Sequence, residues 1–234
     1  GKADILALLV GAELCASRSE ARRAVEQGGV TVNGEKVASI EAVHNWYKGT
    51  KVEKDGKHNV FTHFFLPAEK LEEAIARDGL PYNLYIQRGL LTLSGEGFVD
   101  YNDCFNWFRE LVEKYKIYPL KIGYDRYSSQ YLVQQMKQYG FHMDDVFQGW
   151  NLSPIIRDVE GLLRENVINI GDNDLLKVHL LDSALKNNNE QRRVQLVKLN
   201  QYSHIDGTAA LLDAYTMRSK YWNEIGGQIT NNRG

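Results

Sequence analysis

The 234-residue chain has few cysteines and prolines and no long hydrophobic run. Its two cysteines, Cys15 and Cys104, lie far apart, which excludes a disulfide framework and a cysteine–histidine zinc cluster and suits a reducing cytoplasm. The longest apolar stretch, residues 5–10, is far shorter than a membrane span. With a net charge of −2 the chain is not a strongly basic nucleic-acid binder, but a metal-dependent nuclease with an acidic site fits this composition.

A phosphate-binding loop is also missing from the sequence. Residues 29–36 (GVTVNGEK) share part of the required spacing, but Val37 stands where Ser or Thr is needed, and the segment has the pattern of a hairpin. No other segment fits GxxxxGK[ST], so this chain carries no P-loop ATPase of its own. The six histidines show no HExxH-type spacing, and we expect each to be a core or surface residue.

Residues 1–43 have the pattern of a small helix–helix–hairpin (α+β) module. Residues 3–14 are predicted to form a first helix. Ser17 and Glu20 form the capping-box pattern S-x-x-E, which opens a second helix that ends before Gly28 and Gly29. The Asn33–Gly34 pair that follows is typical of a two-residue hairpin turn.

The rest of the chain alternates strand and helix patterns, which predicts an α/β domain. Residues 38–58 show no clear helical or strand periodicity. We expect this segment, the seam between the two predicted modules, to be the least well packed part of the molecule. The predicted domains are therefore residues 1–43, a junction at 44–57, and residues 58–234. Within the last, we predict a strand over 118–122 and four helices: one over 104–115 capped by Asp103, one over 154–164, one over 175–185 and a final one over 206–222.

Three aspartates are candidates for a metal site. Asp125 stands where a short strand gives way to a helix, and ligands of α/β proteins gather at such strand ends. Asp206 and Asp213 are seven residues apart, which places both on one face of the last helix. Carboxylates of this kind bind Mg²⁺ and Mn²⁺, although helix capping and ion pairing would equally account for them.

Several phrases in residues 52–228 resemble the C-terminal nuclease domain of tailed-phage terminase large subunits. They are FFLPAEKLEEAIARDGLPY (64–82), GLLTLSGEGFVDY (89–101), IGYDRYSSQYLVQQM (122–136), GFHMDDVFQGWNLSP (140–154) and HIDGTAALLDA (204–214). The resemblance implies an RNase H-like mixed sheet flanked by helices. It also implies an endonuclease of the host cytoplasm that cuts concatemeric viral DNA with two Mg²⁺ or Mn²⁺ ions.

The same resemblance assigns roles to the three aspartates and names partners. Asp125 in GYDRY matches the middle metal-binding carboxylate and Asp206 in HIDG the last one, so both are predicted catalytic residues and metal ligands. Asp213 matches a supporting ligand. The implied partners are double-stranded DNA, the small terminase subunit and the portal, with no membrane.

One feature of that family is not found. Its first strand carries a metal-bridging aspartate in a D-L-S phrase, but here no aspartate occurs between Asp4 and Asp55. Within the segment where that strand is expected, residues 30–49, Glu35 and Glu41 are the carboxylates that could serve, and neither lies in a matching phrase. The loss of this ligand predicts weakened metal binding and impaired cleavage.

The segment that stands in its place, especially residues 8–37, resembles the small RNA-binding module at the end of bacterial tyrosyl-tRNA synthetases. Ser17, Arg18, Arg22 and Arg23 match the positions that face structured RNA in that family, and arginine suits phosphate contacts. The catalytic half of a synthetase is absent, so aminoacylation is excluded. The chain has the pattern of a chimera, and a non-catalytic RNA-binding or packaging-partner module is the alternative function.

Overall fold

The computed structural model describes residues 56–126 and 130–224, together with residues 17, 20, 21, 23, 24, 31, 32, 35 and 36 near the N-terminus. The helices of this part are α1 (Leu71–Asp78), α2 (Tyr82–Gln87), α3 (Tyr101–Glu113), α4 (Gln130–Tyr139), α5 (Ser153–Arg164), α6 (Asp174–Leu181) and α7 (Asp206–Lys220). The strands are β1 (Thr31–Val32), β2 (Glu35–Lys36), β3 (His58–Asn59), β4 (Phe64–Leu66), β5 (Leu91–Leu93), β6 (Ile122–Asp125), β7 (Met143–Val146), β8 (Ile168–Asn169), β9 (Ser183–Asn188) and β10 (Arg193–Lys198).

The chain divides into two compact units, Gly1–Lys51 with Tyr115–Ile117, and Val52–Lys114 with Tyr118–Gly234. In the first unit the Ser17 Oγ accepts a hydrogen bond from the backbone N–H of Glu20 at 3.2 Å, and residues 20, 21, 23 and 24 are helical. This confirms the capping-box start. The predicted helix over 3–14 and most of the predicted seam lie outside the described residues.

The predicted hairpin of the first unit is also confirmed. Strands β1 and β2 pair in antiparallel register, with Thr31 opposite Lys36 and Val32 opposite Glu35. The Asn33–Gly34 pair itself lies outside the described residues.

The second unit is α/β, as the alternating pattern predicts. Three strand pairs are parallel, β3 with β8, β4 with β5 and β6 with β7, and the longer β9 and β10 are antiparallel. In the described part of the chain these pairs are separate two-stranded sheets and do not join into one mixed sheet.

The central element of this unit is α7. Its buried residues include Leu211, Leu212, Tyr215 and Met217, which lie on several faces, as expected of a helix surrounded by protein. Around it packs a core cluster drawn from β7, α5, β8 and β10. Another cluster joins α1, α2 and β5 to Leu175 of α6, and a further one joins α3, β6 and α4.

Some predicted bounds are wrong for identifiable reasons. The strand expected over 118–122 runs instead from Ile122 to Asp125, and Tyr118 is 64% exposed. The N-terminal cap of α3 is Asp100, whose side chain accepts from the Asn102 N–H, whereas Asp103 accepts from the Ser94 hydroxyl. No helix in the described ranges is long and apolar enough to span a bilayer.

Candidate metal centre between β6 and α7

The side of β6 that faces α7 holds Gly123 and Asp125, because alternate residues of a strand share a face. At Gly123 the two elements approach so closely that a Cβ atom would lie 2.8 Å from the backbone oxygen of Asp213 and 3.0 Å from the Met217 side chain. Glycine therefore permits this contact. The result is that α7 lies directly against the strand that ends in Asp125.

The two elements run in opposite directions. The Lys121 ammonium, just before β6, lies 4.2 Å from the ring centroid of Tyr221, just after α7, whereas Gly123 meets Asp213. The N-terminal half of α7 consequently extends toward and past the carboxyl end of β6. Asp125 and the start of α7 thus lie at the same end of this helix–strand layer.

Asp125 and Asp213 are the candidate carboxylate pair at this end of the layer. The side chain of Asp213 is buried, with 8% of the residue exposed, and its Oδ1 accepts a hydrogen bond from Gln148 Nε2 at 2.6 Å. The pKa of Asp213 is raised to about 7, chiefly by burial; the Gln148 hydrogen bond opposes this shift and the negative charge of Asp125 adds to it. A buried carboxyl beside a second carboxylate favours either a proton or a cation between them.

A further carboxylate on this side of the sheet, Asp144 on β7, is already ion-paired with Lys220. It accepts hydrogen bonds from Lys220 Nζ and from the Tyr221 hydroxyl, the latter at 2.6 Å. The Lys220 hydrogen bond, followed by that of Tyr221, lowers the pKa of Asp144. This cluster fastens the C-terminal end of α7 to β7 and takes no part in the Asp125–Asp213 pair.

Asp206, the third predicted ligand, is the exposed first residue of α7. It lies about 10 Å along the helix axis from Asp213. Its neighbour is His179, whose Nδ1 accepts a hydrogen bond from the Gly207 N–H at 3.1 Å. Burial lowers the pKa of His179, and the charge of Asp206 opposes that shift. The charge of Asp125 thus acts on Asp213, whereas Asp206 is exposed at the N-terminal end of α7.

The donor chemistry of this end suits a hard divalent cation. Mg²⁺ and Mn²⁺ are commonly held by one or two carboxylates with water completing the shell, and Asp125 and Asp213 supply such a pair. Within residues 56–126 and 130–224 no group of three or more acidic, histidine or cysteine side chains is placed to hold a metal.

Sequence reasoning missed a hydrogen-bond cluster that leads into α7. The Asp78 side chain, only 3% exposed, accepts from Arg77 Nε at 2.6 Å, the Tyr82 hydroxyl at 2.7 Å and His204 Nε2 at 3.0 Å. The Arg77 hydrogen bond, opposed by burial and aided by Tyr82 and His204, holds the pKa of Asp78 far below its usual range. The sequence shows Asp78 only as a helix end, because its partner His204 lies far along the chain.

The predicted RNA-contacting residues are only partly described. Ser17 is the exposed cap of its helix and Arg23 is exposed, whereas Arg18 and Arg22 lie outside the described residues.

Two family models match the chain. Residues 42–220 match "Terminase large subunit, endonuclease domain", and residues 1–54 match "Tyrosine--tRNA ligase SYY-like C-terminal domain". The large terminase subunit of Enterobacteria phage HK97 is 22% identical over 160 residues, which cover 67% of this chain and 31% of that protein.

The crystal structure of the HK97 large terminase is similar in fold. It matches with a TM-score of 0.62 and 21% identity over 70% of this chain and 34% of that one. The chain thus spans about a third of the length of the relatives that it matches.

Proposed function

Because the chain belongs to the terminase large subunit endonuclease family, we propose that it hydrolyses phosphodiester bonds of DNA at a divalent-metal site held by Asp125 and Asp213. The observation that carries this proposal is the buried Asp213 carboxyl, which faces the carboxyl end of β6 and shares its environment with the charge of Asp125. By contrast, Asp144, a carboxylate of the same layer with a structural role, is ion-paired with the Lys220 side chain.

The residues around the pair would hold and orient the site. The Gln148 side chain fixes one oxygen of Asp213, and the close contact at Gly123 fixes the distance between helix and strand. When bound, Mg²⁺ or Mn²⁺ supplies Lewis acidity toward a phosphoryl oxygen and lowers the pKa of bound water. Asp125, half-buried at the strand end, is the member of the pair that is open to a substrate.

The proposal includes the finer features that the resemblance implies. These are an RNase H-like arrangement of residues 58–234, a second metal ion, concatemeric double-stranded DNA as substrate, and the small terminase subunit and portal as partners. Without a first-strand aspartate, the site has one ligand fewer than the family pattern. We therefore expect cleavage to be slower than that of a chain with the complete pattern.

The test is nicking of supercoiled plasmid by the purified chain in Mn²⁺ and in EDTA. We expect nicking in Mn²⁺ alone, and we expect Asp125→Asn and Asp213→Asn to abolish it, because each removes half of the carboxylate pair. Asp172→Asn, at an exposed turn residue, is the matched control and should nick like the unaltered chain. Nicking that survives in both Asp125→Asn and Asp213→Asn would contradict the proposed site.

A further variant decides the role of Asp206. The resemblance assigns the last ligand to this residue, whereas the proposed pair is Asp125 and Asp213, whose charges influence each other. If Asp206→Asn loses nicking as well, this exposed aspartate completes the ligand set. If nicking persists, the Asp125–Asp213 pair is sufficient.

The second candidate function is RNA binding by residues 1–43. The match of residues 1–54 to the tyrosine–tRNA ligase C-terminal model favours it, together with the Ser17 cap and the β1–β2 hairpin in the described part of that module. This function would use Ser17, Arg18, Arg22 and Arg23 and would not need the carboxylate pair.

A further inference from the structure

A polar cleft lies between helix α5 and the tip of the β9–β10 hairpin. It has a volume of about 430 Å³ and is lined by Arg157 of α5 and by Asn187, Asn188, Asn189, Arg192 and Arg193 of the hairpin. Its walls thus combine three guanidinium groups with three side-chain amides. The lining has no carboxylate.

The cleft is held in shape by hydrogen bonds of its own. Strands β9 and β10 pair without interruption from Ser183 opposite Lys198 to Asn188 opposite Arg193. At the tip, the Asn188 Oδ1 accepts from the Gln191 N–H at 3.1 Å. Arg157 Nη2 donates to the Arg192 carbonyl at 3.2 Å, which ties the helix to the hairpin.

The arginines of this cleft differ from others in the same unit. Arg126 and Arg164 are paired with Asp145 and Glu160, respectively. Among the residues that the structure describes, Arg157, Arg192 and Arg193 form no ion pair with a carboxylate. All three are exposed. Lys186 and Lys198 add positive charge along the hairpin, against a single acidic residue, Glu190.

Strand β10 connects this cleft to the carboxylate pair. Gln195 lies two residues after Arg193 on the same face of the strand, about 7 Å away. The Gln195 amide nitrogen lies 3.8 Å from the position that a Cβ of Gly149 would occupy. Gly149 follows Gln148, which hydrogen-bonds Asp213. A polyanion that occupies the cleft would therefore lie along a path that leads toward Asp125 and Asp213.

We propose that Arg157, Arg192 and Arg193 bind backbone phosphates of duplex DNA and position the duplex for cleavage at the carboxylate pair. Guanidinium groups bind phosphate oxygens bidentately, and amide side chains of asparagine add neutral hydrogen bonds to phosphate and sugar. The contacts are to the backbone, so they hold DNA without sequence preference. The choice of ligand rests on the proposed nuclease function, but the binding step does not require an active metal site.

The experiment measures binding of a short fluorescein-labelled DNA duplex by anisotropy in EDTA over a series of salt concentrations. The variant Arg157→Gln/Arg192→Gln/Arg193→Gln is compared with the unaltered chain and with Arg164→Gln, an exposed arginine on the same helix. We expect the triple variant to raise Kd on the order of 10- to 100-fold and to make the slope of log K against log salt shallower by about 2 to 3. Arg164→Gln should change neither, and circular dichroism should show that all three chains are folded.

Each outcome decides the proposal. Equal affinity and slope for the triple variant and the unaltered chain would overturn it, as would an equal loss in Arg164→Gln, which would mean a general charge effect. A preference for an RNA duplex, with DNA binding unchanged by the triple substitution, would assign the cleft to RNA and overturn it too. If no chain nicks plasmid but the triple variant loses DNA affinity, the proposed nuclease function fails and the phosphate cleft stands.

Discussion

At the scale of single residues, Asp78 shows how a buried charge is stabilised by neighbours from distant parts of the chain. Its carboxylate receives hydrogen bonds from Arg77, Tyr82 and His204. Hydrogen bonds to a charged group contribute more than neutral ones. The ionised form is therefore strongly favoured in the folded protein, and His204 is held at the segment that leads into α7.

We predict that Asp78→Asn lowers the free energy of unfolding by about 1 to 3 kcal/mol at neutral pH, since charge-assisted hydrogen bonds are lost. The pKa of Asp78 is lowered by folding, so its contribution to stability is fully present above the unfolded pKa of about 4 and is lost progressively as the pH falls from there through the lower folded pKa. The difference between the two chains should consequently narrow in acid. Urea unfolding over a pH series measures it. A difference that is independent of pH would contradict the assignment, and Asp172→Asn should show no effect.

Residue chemistry could be predicted from the sequence only where it depends on local position. Asp125 could be selected as a candidate ligand because it lies at the end of a short predicted strand. Asp206 and Asp213 could be selected because their seven-residue spacing places them on one face of a helix. Gln148 and Gly123 carried no such signal, because one acts through a hydrogen bond across 65 residues and the other through the approach of a helix. The roles of the three aspartates stay predictions until the nicking assay is done.

At the scale of elements, the contact between α7 and β6 determines whether the two carboxylates meet. Its close point is at Gly123, where a side chain would run into the backbone of α7. Backbone atoms cannot move aside as a flexible side chain can. A substitution at Gly123 therefore tests the geometry of the site without altering any charged group.

We expect Gly123→Ala to destabilise the protein by about 1 to 3 kcal/mol, because the added methyl group overpacks a tight contact. Displacement of α7 should also reduce nicking in Mn²⁺. Gly161→Ala is the matched control, since a Cβ there meets nothing within 4 Å, and this change within a helix should stabilise the protein by about 0.5 to 1 kcal/mol. Denaturant unfolding measures both variants, and equal stability of Gly123→Ala and the unaltered chain would show that the contact is looser than described.

Amphipathic helices could be predicted from the sequence more reliably than short strands. Helix α5 was expected over 154–164 and runs from Ser153 to Arg164. Strand β7 was missed because its sequence, MDDV, has two aspartates at its centre, whose charges are compensated by Arg126 and Lys220 from elsewhere. Helix α6, predicted to continue to residue 185, ends at Leu181, because the residues from Ser183 onward form strand β9 and pair with β10.

At the scale of the whole molecule, the two proposed functions use different residues of one chain, so we expect them to be separable. Arg22→Ala should make the salt slope of affinity for a structured RNA shallower by about 1 and leave plasmid nicking unchanged. Asp125→Asn should do the opposite, with nicking lost and RNA affinity retained. Anisotropy and nicking measured on the same preparations provide the check, and loss of both activities in either variant would show that the two functions are coupled.

The pairing of β3 with β8 has a consequence for the order in which the protein folds during synthesis. Asn59 and Asn169 are joined side by side although 110 residues separate them along the chain. At ribosomal rates, roughly 5 to 20 s pass between the emergence of these two segments. The β9–β10 hairpin, by contrast, is local and can close within microseconds of leaving the ribosome. Strand β3 therefore remains unpaired during this interval. Because it is only two residues long, it exposes little strand edge with which other nascent chains could aggregate.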